Sequence, residues 1–188
     1  MSLSDFLYYL WLACLGYGLL VVLWFVVTQF PKHRWSLLFA RHRALKSLQL
    51  HEMHSCFISL VVFLLFYIVA AEVEWYLLSL ELAREQHIRV FYMGMITQQF
   101  ALLVVLYMVH RLRGCLFSIT ARICMYTTFL YSSFLFMQLV ARGYFDYHEL
   151  GMVYRIGGWA CNIIAIAALS IYPIRQTLAY YSTRSDRK

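Results

Sequence analysis

Five stretches of this chain carry no charged side chain over a length that matches a lipid bilayer. They cover residues 6–30, 55–71, 90–109, 123–141 and 156–174, with lengths of 25, 17, 20, 19 and 19. A helix rises about 1.5 Å per residue, so about 20 residues cross the roughly 30 Å of hydrocarbon. Inside lipid each backbone N–H and C=O needs an internal partner, which leaves only helices or a closed barrel. The runs are continuously apolar rather than alternating, and this excludes a barrel. The expected fold class is therefore all-α. It is a polytopic membrane protein, one bundle of five transmembrane helices over about 6–30, 53–74, 90–110, 120–141 and 154–174, with no soluble domain. Composition points the same way: 63% of the 188 residues are hydrophobic and 13% charged, against about 45–50% and about 25% in a soluble domain. A soluble globule of this size has too little interior for that much apolar surface.

The second run is the least sharply bounded. Beyond Glu72 and Glu74 the chain turns apolar again at Trp75-Tyr76-Leu77-Leu78, and we expect one continuous helix there, with Glu81 to Arg84 also helical. The flank before the first run, Met1-Ser2-Leu3-Ser4-Asp5, has no basic residue. That run is also longer than the roughly 7–15 residues of a signal-peptide core, so it is expected to remain as a spanning helix.

Charge orients the bundle. The connections 32–54 and 110–122 with the tail 175–188 hold twelve Lys or Arg against Glu52 and Asp186. The head 1–5 with the connections 72–89 and 142–155 holds four Arg against seven acids. Positive charge is retained in the cytoplasm, so the N-terminus is expected outside and the C-terminus cytoplasmic, in a bacterial inner membrane or a eukaryotic organelle membrane. Lys32, Arg34, Arg41, Arg43 and Lys46 then face anionic lipid headgroups. Residues 35–50 are not expected to form an amphipathic in-plane helix, because Leu37, Ala44 and Leu48 lie opposite Trp35 and Phe39 and Lys46 falls within the apolar sector. The excess of cations is a topology signal, and no nucleic-acid partner is expected.

None of the five cysteines falls in an outer connection and no Cys-x-x-Cys pair occurs, which excludes a disulfide framework and a thiol oxidoreductase. Tyr and Trp near the span ends read as an interfacial belt. In the fifth span Gly157, Cys161, Ala165 and Ala168 share one face, a small-residue stripe on which a neighbouring helix can approach closely.

Chemistry-bearing residues are sparse. Gln98, Gln99, Ser132, Ser133 and Asn162 lie at similar depth in spans three to five and are expected to form a hydrogen-bonded layer, as interhelical packing or as a site for a small polar solute. His51 and His54 are spaced i, i+3, and His110 closes the third span at the same depth. Together they could ligate a metal or a haem, although His-Glu-Met-His is one residue short of the zinc hydrolase pattern. No Asp, Glu, Lys or Arg lies within any run, where proton relays and ion-coupled carriers place them. No catalytic residue and no cofactor is assigned.

The leading expectation is a non-enzymatic structural or interaction subunit, packed with membrane lipids and with other membrane chains or copies of itself. The alternatives are a small-solute channel or carrier lined by the polar residues of spans three to five, and a metal- or haem-binding protein using His51, His54 and His110.

Overall fold

The computed structural model describes residues 3–33 and 47–185. Five long helices account for most of these residues: α1 Leu3–Thr28, α2 Leu48–Leu78, α3 Arg84–Arg113, α4 Ile119–Tyr144 and α5 Gly151–Ser185. A single helical turn, Phe30–His33, follows α1, and no strand occurs among the described residues. All five helices are long and apolar enough to cross a membrane.

The helix ends follow from local chemistry. Ser47 opens α2 with its side chain accepting the Leu50 N–H. The helix then runs unbroken through Glu72 and Glu74, as expected, but stops at Leu78. There the Ser79 backbone N–H bonds to the Trp75 and Tyr76 carbonyls, and its hydroxyl donates to Tyr76 O at 2.8 Å. Glu81 consequently lies in the connection, which corrects the expectation of a helix over Glu81 to Arg84. Glu85 and Arg89 do form an i, i+4 ion pair, at 3.8 Å. At the other end of α3, Gly114 adopts φ 60°, a left-handed conformation that glycine takes without a Cβ clash. Its N–H and that of Cys115 close the last turn on the Arg111 and His110 carbonyls. The two arginines in that turn, Arg111 and Arg113, complement the helix dipole. Ser118 caps α4 through the Ala121 N–H.

α5 continues past the expected boundary near 174, through Pro173. Proline has no N–H, so the Leu169 carbonyl loses its helical donor. The Cys56 thiol of α2 donates to that carbonyl at 3.7 Å instead. The proline is thus accommodated by a group from the facing helix.

Successive helices pack antiparallel, while α1 and α5 run parallel. The hydrogen bonds Tyr17 Oη to Ser170 Oγ (2.8 Å) and Trp24 Nε1 to Thr177 Oγ1 (3.0 Å) share one sequence offset, 153. Leu3 and Ser185 therefore lie at opposite ends of the bundle, called here the N-terminal and C-terminal ends. Towards the C-terminal end a large apolar core joins α1, α2, α3, α4 and α5. Within it Phe25 stacks on Tyr172 at 5.8 Å and packs against Phe57 at 5.3 Å. A smaller cluster of Leu77, Tyr92, Met95, Leu135 and Leu139 joins α2, α3 and α4 towards the N-terminal end. α1 is the least buried helix. Its deeply buried side chains, Val21, Phe25 and Gln29, all belong to its C-terminal half or just beyond.

The small-residue stripe of α5 is filled within this chain. A Cβ at Gly157 would lie 2.5 Å from Phe134 Cε2, and one at Gly158 would lie 2.9 Å from Tyr131 Cε2. Thr120 Oγ1 donates to Ala168 O at 3.3 Å, and Cys161, Ala165 and Ala168 are buried. The helix seated on the stripe is α4.

Candidate binding cavity

All five helices contribute to one cavity of about 550 Å³ towards the N-terminal end of the bundle, a volume within the range of small-molecule sites. It lies between the N-terminal half of α1 and the other four helices. α1 supplies Leu7, Tyr8 and Trp11. From α2 come Phe63, Tyr67, Ala70 and Glu74, which recur at helical spacing and so share a face. α3 contributes Gln98 and Gln99, α4 Tyr131, and α5 Tyr154, Arg155, Trp159 and Asn162.

The polar groups fall into two sets. Gln98 is committed to the fold: its Nε2 donates to Phe66 O across the helix interface at 3.0 Å, and its Oε1 accepts from Gln99 Nε2 at 2.8 Å. Both amides are buried. Asn162, Glu74 and Arg155 are uncommitted. Among the described residues none of the three forms a hydrogen bond, and the carboxylate and the guanidinium form no ion pair. Glu74 is within electrostatic range of the Tyr131 and Tyr154 hydroxyls, and those two rings stack at 6.3 Å. On the opposite wall Trp11 stacks on Tyr67 at 5.9 Å, with the Tyr67 hydroxyl buried beside the Cys14 thiol. Trp75 and Trp159 also line the cavity, and neither ring stacks on another.

The polar layer expected from the sequence is thus only partly assembled. Gln98, Gln99 and Asn162 meet at the cavity. Ser132 and Ser133 do not: their hydroxyls bond back to Thr128 O and Phe129 O within α4, at 3.0 and 3.1 Å, and Ser133 faces outward. The cross-helix bond of this layer runs from α3 to α2, not from α3 to α4 and α5. Sequence reasoning missed Glu74 and Arg155, which read as span borders, and Trp11, Trp75 and Tyr154, which read as an interfacial belt. The signal available for Glu74 was its place on the Phe63, Tyr67, Ala70 face. Gln138, buried with neither side-chain polar atom partnered, was also missed and lies outside the cavity lining.

At the C-terminal end the histidines hold the α3–α4 connection onto α2. His110 is wholly buried and stacks on Phe117 at 4.5 Å. Its Nδ1 lies 2.8 Å from Leu106 O, which can only accept, so Nδ1 carries the proton and Nε2 accepts from Ser55 Oγ at 2.9 Å. Ser55 Oγ in turn accepts the Ser118 N–H at 2.9 Å and the Ser118 hydroxyl at 3.0 Å. His51 Nδ1 accepts the Leu116 N–H, and its carbonyl accepts the Cys115 thiol, both at 3.3 Å. The shared depth of the α2 and α3 histidines is as expected, but the partner of His110 is Ser55. His51, His54 and His110 do not converge on one point, and no three metal-ligating side chains do so among the described residues. Of the proposed lipid-facing cations Lys32 is exposed, whereas Arg34, Arg41, Arg43 and Lys46 lie outside the described residues.

Burial pushes the Cys115 thiol up to about 11, with Arg113 opposing it weakly. Only the thiolate alkylates readily, so its reactive fraction grows as pH rises toward 11 and is small at pH 7.5. A maleimide at pH 7.5 is expected to leave Cys115 unmodified in the folded protein and to label it after denaturation in dodecyl sulfate, as read by peptide mass spectrometry.

Comparison with protein-family models, curated proteins and solved structures returned no match to this chain.

Proposed function

We propose that the chain is an integral membrane protein crossing the bilayer five times, N-terminus outside and C-terminus cytoplasmic. In this reading its cavity, in the outer half of the bilayer, holds a small ligand with polar and apolar parts. The supporting observation is the cavity itself, walled by all five helices and lined by Asn162, Glu74 and Arg155, none of which the fold uses for itself. Glu74 and Arg155 are exposed and Asn162 is half-buried, so all three are accessible to a ligand entering the cavity. Ligand binding takes precedence over the subunit reading because the α5 stripe, which supported a partner helix, is filled by α4. The role is binding rather than catalysis, in a bacterial inner membrane or an organelle membrane.

Native mass spectrometry of the full chain released from lipid nanodiscs tests this reading. Wild type should carry one additional small molecule. Ala70→Phe, which places a ring in the cavity, should lose it while keeping the helical circular dichroism. An empty wild type, or the same adduct on both proteins, overturns the reading. Orientation is tested separately with compartment reporters at the two termini: opposite sides are expected, and the same side removes the five-span topology.

A second reading, a subunit of a larger or homo-oligomeric assembly, draws on α1. Leu19, Leu20, Leu23 and Val27 of this helix are each more than half exposed, and lipid or another chain must cover them. Copies larger than one chain in nanodiscs support this role; single copies without a co-purifying chain reject it.

A further inference from the structure

We infer that the ligand of this cavity is a zwitterion, with its anionic group at Arg155 and its ammonium at Glu74 beside the unstacked Trp75 ring. This rests on the ligand-holding reading above and adds the chemical class. Arg155 and Glu74 line the same space, yet they form no ion pair with each other or with any other described residue. Two opposite charges that share a cavity without meeting complement a molecule bearing both charges apart. A singly charged ligand would pair with only one of the two.

The surroundings match each half. A guanidinium offers forked donors to a phosphate or carboxylate. An ammonium, quaternary ones above all, is held by the faces of aromatic rings together with a carboxylate. The cavity presents Trp75, next to Glu74 on α2, and Trp159, one turn beyond Arg155 on α5, and neither ring is stacked on another. Trp11, by contrast, is already covered by Tyr67. Asn162, with both a donor and an acceptor unused, gives the ligand a neutral polar contact on the α5 wall. This chemistry occurs both in a phospholipid headgroup, such as phosphocholine or phosphoethanolamine, and in a free solute such as a betaine.

Isothermal titration of the full-length chain in phosphatidylglycerol nanodiscs separates the charge requirement from the source. The probes are phosphocholine and glycine betaine as zwitterions, choline and inorganic phosphate as single charges, and 1-naphthol as a neutral apolar control. Zwitterions are expected to bind at least tenfold more tightly than either single charge, and Glu74→Gln and Arg155→Gln should each weaken them about tenfold. Circular dichroism and melting of both variants, whose side chains make no structural bond, verify that the fold is kept. Native mass spectrometry with added phosphatidylcholine then assigns the source. A retained intact lipid that blocks phosphocholine identifies a headgroup site, and betaine binding unaffected by lipid identifies a free solute; both support the zwitterion. Equal affinity for zwitterions, single charges and 1-naphthol, or variants that bind like wild type, overturns the zwitterion while leaving a ligand cavity. No binding of any probe, with no native adduct, removes both.

Discussion

His110→Ala is expected to destabilise the protein by about 2–5 kcal/mol, the range for truncating a large, fully buried side chain. The imidazole has no exposed surface and fills the space between Phe117 and the α2 helix. Its removal also strips Ser55 of its acceptor and leaves a cavity beneath the α3–α4 connection. Thermal unfolding in mild detergent should shift down by several degrees, and limited proteolysis should cut first at residues 114–118. His110→Asn, which retains a donor and an acceptor in less volume, should recover part of the loss. Because both ring nitrogens are bonded to protein, a strong chelator should leave the melting temperature of wild type unchanged. A drop on chelation, or a His110→Ala protein as stable as wild type, would show that this histidine does something other than anchor the connection.

Gly157→Leu is the second large effect. The Phe134 ring already occupies the space of a Cβ at this position, with Cε2 at 2.5 Å and Cζ at 2.6 Å. A leucine must push α4 and α5 apart or expel the ring, an overpacking cost of about 1–3 kcal/mol. Separating the two helices also disturbs the Tyr131–Tyr154 stack on the cavity wall, so ligand retention should fall along with stability. Gly16→Ala is the contrast. Nothing lies within 4 Å of its Cβ position, so the higher helix propensity of alanine should stabilise by up to about 1 kcal/mol. Melting curves of the two variants beside wild type decide both predictions, and equal shifts would contradict the packing described for α5.

The helices themselves were legible because uncharged length is a one-dimensional property. The runs around 90–109 and 123–141 lie inside α3 and α4, and continuity of α2 through Glu74 followed from the apolar residues beyond it. The end at Leu78 was not legible, since it depends on Ser79 folding back onto Tyr76. Nor was the passage of α5 through Pro173, which depends on a thiol supplied by a different helix. Depth along a helix could be read and azimuth could not. Gln98 and Ser133 lie at comparable distances from a membrane face, yet Gln98 points inward to Phe66 O while Ser133 turns outward and bonds its own helix. The same limit hid the cavity: Trp11, Tyr154 and Arg155 occupy border positions where aromatic and basic residues are common, and only the packing of five helices reveals that they face a shared space.

The uneven attachment of α1 has a mechanical consequence. Tyr17, Trp24 and Phe25 fasten the second half of this helix to α2 and α5, whereas in the first half Leu7 and Tyr8 border the cavity and Trp11 reaches α2 through its stack on Tyr67. Such a helix is a cantilever: its more lightly held arm opens at less cost than its clamped root, because local opening requires less free energy than loss of the core. In the proposed ligand-holding reading, flexing of that arm would give molecules dissolved in the surrounding leaflet a sideways route into the cavity, and turnover of its contents would follow the stiffness of one helix rather than the stability of the whole bundle.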